Sequence, residues 1–244
     1  MNPLNYNPRK AGNRWVAYFD RLGFSAYTCA NSLVEVFCEA RSFLNKAAES
    51  ASQEGRVECV WFSDTVIFYS TSCSGSWRSW CAVQNVSQCF FEELLYSGMP
   101  ARGAMAFGEF YADKPKGVFI GKALVDAHDL GEKYDWLGFV LHNSVITQLT
   151  SPGSAPGTSP CNPLRGYAWW RPKWRDRKTG LIKTGAEPVQ ALIPNSSLHA
   201  VRDMASAAKC ARHRRKYLNT IKFVEHFGGG GAPTPPRPLG RFAC

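Results

Sequence analysis

Residues 14–20 (RWVAYFD) form a strand-like apolar run that ends on an acid. From 25 to about 50 the period lengthens. Leu33, Phe37, Ala40, Leu44 and Ala47 recur at spacings of four and three, the stripe of one helix that Ser25 would cap. Residues 56–71 (RVECVWFSDTVIFYST) read as two strands meeting at Ser63-Asp64, a hairpin with an acid at its tip. Residues 76–96 predict a second helix with Val83, Val86, Phe90 and Leu94 on one side, stopped by Gly98 and Pro100. A glycine-punctuated strand (101–111), VFIG (118–121), a short helix (about 122–133) and a strand near 136–148 follow.

Strand, helix, hairpin, helix, strand, helix, strand is the order of a ferredoxin-like α+β fold, with a mainly antiparallel sheet and helices on one face. Residues 14–150 are therefore expected to form one domain. SPGSAPGTSPCNP (151–163) reads as a long loop. Residues 164–227 read as an extension packed on the same domain: an edge strand YAWWRPKW interrupted by Pro172, a strand VQALIP, and a helix over 196–226 capped by Ser196 or Ser197. The glycine- and proline-rich segment 228–244 is expected to be disordered.

Charge sharpens this division. Residues 1–150 carry 13 Lys/Arg against 15 Asp/Glu, whereas 151–244 carry 16 against 4, so the formal charge of +10 arises entirely in the second part. That excess fits an anionic partner or a basic solvated face. No run reaches the roughly 18 apolar residues of a membrane span, and MNPLNYNPRK lacks a signal-peptide core, which predicts a soluble cytoplasmic protein. The nine cysteines are odd in number and lie mostly in apolar segments, which suits reduced core packing better than a disulfide framework. No CxxC pair exists, the five histidines are scattered, and neither a zinc site nor a Ser-His-Asp arrangement can be built from them.

The chemistry lies in the two acids. An Asp before a helix or at a hairpin tip ordinarily serves a turn. In this topology, however, Asp20 and Asp64 end neighbouring strands, and two adjacent carboxylates repel unless a cation joins them. Mg²⁺ or Mn²⁺, bound by a couple of carboxylates plus substrate phosphates, suits such a pair, and two ions can share it. Leu22, Gly23, Phe24 and Ser25 then open a helix, where unpaired amides and the positive end of the dipole favour phosphate.

FDRLGF, FSDT, RGAMAFGEF and FIGKALVDAHDL, over residues 14–145, resemble the class III nucleotidyl cyclases, and more narrowly the stand-alone bacterial pyrimidine cyclases of anti-phage signalling. The resemblance implies that Asp20 and Asp64 hold two Mg²⁺ or Mn²⁺ ions with the Arg21 carbonyl, and that Phe24 and the amides around it cradle a triphosphate. It implies a head-to-tail homodimer with the substrate cleft between subunits, 3′-hydroxyl attack on the α-phosphorus, and a cyclic nucleotide read by a downstream effector. Two departures matter. The positions of the Asn and Arg that stabilise the transition state in the best-known members hold Val125 and Asp129, and the adenine-reading Lys is Val60. Arg102 is then the first substitute cation and Lys122 the second. A pocket with Val60 fits a pyrimidine, and a cation such as Arg102 suits carbonyl-rich uracil, so UTP is expected ahead of CTP. Nucleic acid is not expected as a partner. A degenerate domain binding nucleic acid through its basic half, and a nucleotidyltransferase giving linear or dimeric products, remain the alternatives.

Overall fold

The computed structural model describes residues 7, 10–51, 56–151, 164, 166–176, 179, 181–184, 187–194 and 198–228. The 151–163 loop (from residue 152), Ser196 and Ser197, and the tail from 229 lie outside the described residues. Strand β1 (Ala11–Arg21) runs antiparallel between β3 (Thr65–Ser70) and β4 (Ala101–Asp113). β2 (Val57–Phe62) pairs with β3 at one edge, and β5 (Val118–Ile120) pairs with the far end of β4. On the other side β4 lies parallel to β6 (Phe139–Leu141), and the sheet continues antiparallel through β10 (Val189–Leu192) to β7 (Tyr167–Trp170). A separate two-stranded ribbon joins β8 (Trp174–Arg175) to β9 (Ile182–Lys183). The C-terminal segment thus adds strands to the same sheet, with β7 at its edge.

Every residue of β1 from Arg14 to Phe19 is buried, so both faces of the strand need cover. Trp15, Ala17 and Phe19 point to the core under α3 (Trp77–Tyr96), where Phe19 packs against Phe68, Phe90 and Phe139. Val16 and Tyr18 point the other way, onto Ala123 and Ala127 of α4 (Lys122–Lys133). The fold is the expected α+β one, but its helices cover both faces rather than one. The unbroken apolar run of β1 is the physical reason. Gly121 makes the entry to α4 possible: at φ 152, a Cβ there would stand 2.4 Å from the Glu109 carbonyl oxygen.

Three element boundaries differ from the pattern-based expectation. The helix over 25–50 is two, α1 (Phe24–Ala30) and α2 (Leu33–Ala51), because Ser32 and Glu35 form a capping box that starts a new helix: the Ser32 amide donates to Glu35 Oε2 at 2.8 Å, and the Glu35 amide to Ser32 Oγ at 3.3 Å. Gly23, not Ser25, occupies the N-cap of α1. The supposed core stripe also splits. Ala47 is buried, whereas Leu33 and Phe37 are 83% and 60% exposed. The strand near 136–148 is β6 followed by α5 (Asn143–Thr150), whose first turn is capped by His142 accepting from the Ser144 amide. The helix over 196–226 is α6 (Leu198–Ala207) and α7 (Ala211–Gly228). No disulfide joins the described cysteines, but Cys29 and Cys38 are exposed, so core packing accounts only for Cys81 and, in part, Cys59 and Cys89. No helix among the described residues is long and apolar enough to cross a membrane.

Candidate active site

Asp20 sits one residue before the end of β1, in register with Thr65 of β3 and Arg102 of β4. Asp64 belongs to the two-residue turn joining β2 to β3, in which Ser63 takes φ 57 and Trp61 Nε1 donates to the Ser63 carbonyl at 2.8 Å. The Arg21 amide donates to the Asp64 carbonyl at 2.9 Å, which fastens the hairpin tip to the residue after Asp20. Both acids therefore stand at the same end of the sheet.

Arg21 anchors this corner. Its guanidinium carbon lies over the rings of Phe24, Tyr27 and Trp61 at 5.0, 5.4 and 5.6 Å, its Nη2 reaches Met99 Sδ at 3.0 Å, and Glu39 is 3.8 Å away. Burial pushes its pKa down, with Glu39 opposing. The side chain thereby binds the turn after β1 to the hairpin and to α2. Gly23 adopts the left-handed conformation at φ 76 that the turn requires. Leu22 departs from expectation: its amide donates to the Pro100 carbonyl at 2.8 Å and is not available to a phosphate. Sequence cannot show this, because the acceptor lies 78 residues away.

Arg102 meets Asp20 directly, with Nε and Nη2 at 2.9 and 2.8 Å from Asp20 Oδ2. It also pairs with the Glu132 carboxylate on the last turn of α4 and donates to the Glu132 carbonyl at 3.4 Å. One guanidinium thus bridges two carboxylates, with the Asp20 and Arg102 side chains only 13% and 11% exposed. The Glu132 carboxyl is pushed above the usual range, chiefly by burial; Arg102 opposes this and Asp20 adds to it. Tyr18, on the same face of β1, is pushed up to about 12 by burial, then by the charges of Asp20 and Glu132. Its ring packs edge-on against His128 of α4 at 5.1 Å.

Glu132, Tyr18 and His128 had no sequence signal of their own. They reach the site through strand alternation and the placement of α4. Val60, opposite Ile67 on β2, lies two residues along the sheet from the Thr65–Asp20 pair and packs partly against the cluster under α4. Lys122 is largely exposed and committed to Asp126, 2.7 Å from both carboxylate oxygens, so nothing draws it toward Asp20. Val125 is 57% exposed, and Asp129 is likewise on the surface.

Among the described residues no three His, Cys, Asp or Glu side chains gather into a ready-made metal cage. The donor set near Asp20 is instead all oxygen, and the cation now bridging Asp20 to Glu132 is a guanidinium. All-oxygen donors of this kind suit a hard divalent ion completed by substrate oxygens.

The architecture has known counterparts. The catalytic core of a rhodopsin-guanylyl cyclase with converted specificity, in complex with ATPαS, superposes with a TM-score of 0.53 at 10% identity, over 75% of this chain and 97% of that one. This chain has the class III nucleotidyl cyclase fold. A monomeric guanylyl cyclase domain of the RhoGC fusion protein from the aquatic fungus Blastocladiella emersonii matches at 0.52 and 10%, over 76% and 97% of the two chains. A non-canonical dimeric form of that domain, from the same fungus, matches at 0.51 and 10%, over 76% and 98%. No protein-family model matches the sequence, and no curated protein matches it.

Proposed function

We propose that this chain is a metal-dependent pyrimidine nucleotide cyclase that converts UTP, or secondarily CTP, to the 3′,5′-cyclic monophosphate and pyrophosphate. The observation that carries the reading is the junction at the end of β1: Asp20 and Asp64 are fastened to one corner by the Arg21–Asp64 backbone bond, beside the Gly23 turn. Mg²⁺ or Mn²⁺ there would supply the Lewis acidity that lowers the pKa of the ribose 3′-hydroxyl and offsets the triphosphate charge. Asp20, Asp64 and the Arg21 carbonyl orient that charge. The Gly23, Phe24 and Ser25 amides face the phosphates, without Leu22. The 3′-oxygen bonds to the α-phosphorus, the bond to the β-phosphate oxygen breaks, and the hydroxyl proton leaves to solvent. Arg102, the cation held on Asp20, is the donor available to the developing negative charge or to a uracil carbonyl.

Val60 supports the pyrimidine preference, since an apolar side chain stands where the family's adenine reader is a Lys. Leu33, Val34 and Phe37 support a homodimer, because three large apolar side chains exposed in succession on one helix mark an interface. In the basic half, Arg215, Arg202 and Lys183 are paired with Asp135, Glu225 and Asp176, which weakens a nucleic-acid reading. The product would be a diffusible cytoplasmic signal for a separate effector, in keeping with a role in anti-phage defence. Incubation with each of the four ribonucleoside triphosphates and Mn²⁺, followed by mass analysis, tests the reading. Cyclic UMP from UTP is expected; linear oligomers or no turnover refute it.

A further inference from the structure

The C-terminal helix grips the loop behind the Asp20–Arg102–Glu132 bridge. Arg215 Nε is 2.6 Å from Asp135 Oδ2, and Lys216 Nζ is 3.7 Å from Asp135 Oδ1. Asn219 Nδ2 donates to the Asp135 carbonyl at 2.8 Å, while Thr220 Oγ1 accepts from the Leu137 amide at 2.8 Å and donates to its carbonyl at 3.1 Å. From the other side, Arg102 donates to the Glu132 carbonyl and the Gly103 amide to the Gly138 carbonyl at 2.9 Å. Residues 132–138 are therefore strung between β4, which carries Arg102, and α7. Within that span Asp135 is 2% exposed and Lys216 5%. A lysine so buried beside a site with its own cation calls for an explanation beyond solubility.

We propose that α7 is a positioning element of the cyclase site, and that Lys216 is the residue through which its charge acts on Arg102 and Glu132; the proposal rests on the cyclase reading above. The Lys216 ammonium repels the Arg102 guanidinium, which the gripped span holds from its other end through the carboxylate and the carbonyl of Glu132. The groups that face Lys216 are Asp135, Arg102, Arg212 and Glu132. Burial, with Arg102 second, pushes its pKa down to about 8, while Asp135 opposes. Its charge is then lost within a range where activity can be measured.

The test compares wild type with Lys216→Met and Lys216→Arg in Mn²⁺ and UTP, from about pH 7 to about pH 9.5. Circular dichroism confirms the fold. Wild-type kcat is expected to fall as pH rises through about 8, in step with Lys216. K216R, whose guanidinium stays charged there, should keep its kcat through that limb. K216M should lose about tenfold in kcat at neutral pH with a smaller change in KM, and should lack the limb. A folded K216M with wild-type kcat, or one basic limb shared by all three proteins, overturns the proposal. If K216M does not fold, Asn219→Ala, which removes only the bond to the Asp135 carbonyl, provides the second measurement: a lowered kcat is expected, and an unchanged one overturns the proposal. A wild type that turns over no nucleotide removes the cyclase reading and this proposal with it, which differs from an active enzyme indifferent to position 216.

Discussion

Replacing Arg102 by Met removes one guanidinium from between two carboxylates. Asp20 loses contacts of 2.9 and 2.8 Å, and Glu132, already pushed toward the neutral form by burial, loses the cation that opposes that shift. Removing one partner of a buried pair costs about 3–5 kcal/mol. Since Glu132 is 27% exposed, the lower end, about 3 kcal/mol, applies here. For a domain of this size each kcal/mol moves Tm by about 2–4 °C, so R102M should melt about 6–12 °C below wild type in EDTA. The assay is thermal denaturation followed by circular dichroism, with and without Mn²⁺. A divalent ion at a hundred times its Kd stabilises by about 2.7 kcal/mol, and in R102M it need not displace a guanidinium from Asp20. Mn²⁺ should therefore raise Tm more in the variant than in wild type. Equal melting in EDTA, or a larger Mn²⁺ effect on wild type, refutes the idea that Arg102 occupies the place of a cation.

Asp20→Asn and Asp64→Asn should each lower cyclase kcat by more than about a thousandfold while far-UV circular dichroism stays native, since each is a half-buried residue at a strand end or turn; residual activity within tenfold of wild type would exclude metal ligation. Phe37→Asp should convert a dimer to a monomer in sedimentation analysis and abolish turnover, because it places a charge among Leu33, Val34 and Phe37; a dimeric, active variant would move the interface elsewhere. Lys216 also predicts a pH-dependent stability. Its folded pKa of about 8 lies below the unfolded 10.5, so between those values the unfolded chain holds more protons and this residue's contribution grows more favourable as pH rises. Wild type should gain about 3 kcal/mol relative to K216M between pH 7.5 and pH 10.5 in urea titrations, and a constant difference would contradict the burial of its charge.

The fold was legible where pattern and topology agree. The apolar run of β1 ending on Asp20, the hairpin turning at Ser63-Asp64 and the buried stripe of α3 all lie where their periods indicate. The break at Ser32 carries a Ser-x-x-Glu pattern, but the stripe from Leu33 to Ala47 reads as part of one continuous helix from residue 25. That stripe mixes two environments. An apolar residue facing solvent and one facing the core look alike in a linear pattern, and only the placement of α3 separates Phe37 from Ala47. The short β6 hid inside an apolar run that its His142 cap divides. Asp20 and Asp64 stand out as strand-end and turn acids and Arg102 as a substitute cation, and the structure brings Arg102 onto Asp20 and ties the Asp64 turn to Arg21. Glu132 and Lys216 do not stand out, since an acid on an amphipathic helix and a lysine in a basic run carry no local mark. Their meaning comes from partners about 30 and 80 residues away.

The grip of α7 on Asp135 and Leu137 also bears on how the protein comes into being. During synthesis, everything through α5 leaves the ribosome well before residues 215–220 do, and β6 must wait with a bare edge for β10. A nascent chain at that stage holds both acids and their hairpin but lacks the strut beneath Glu132. On the cyclase reading, turnover would then wait until α7 has emerged.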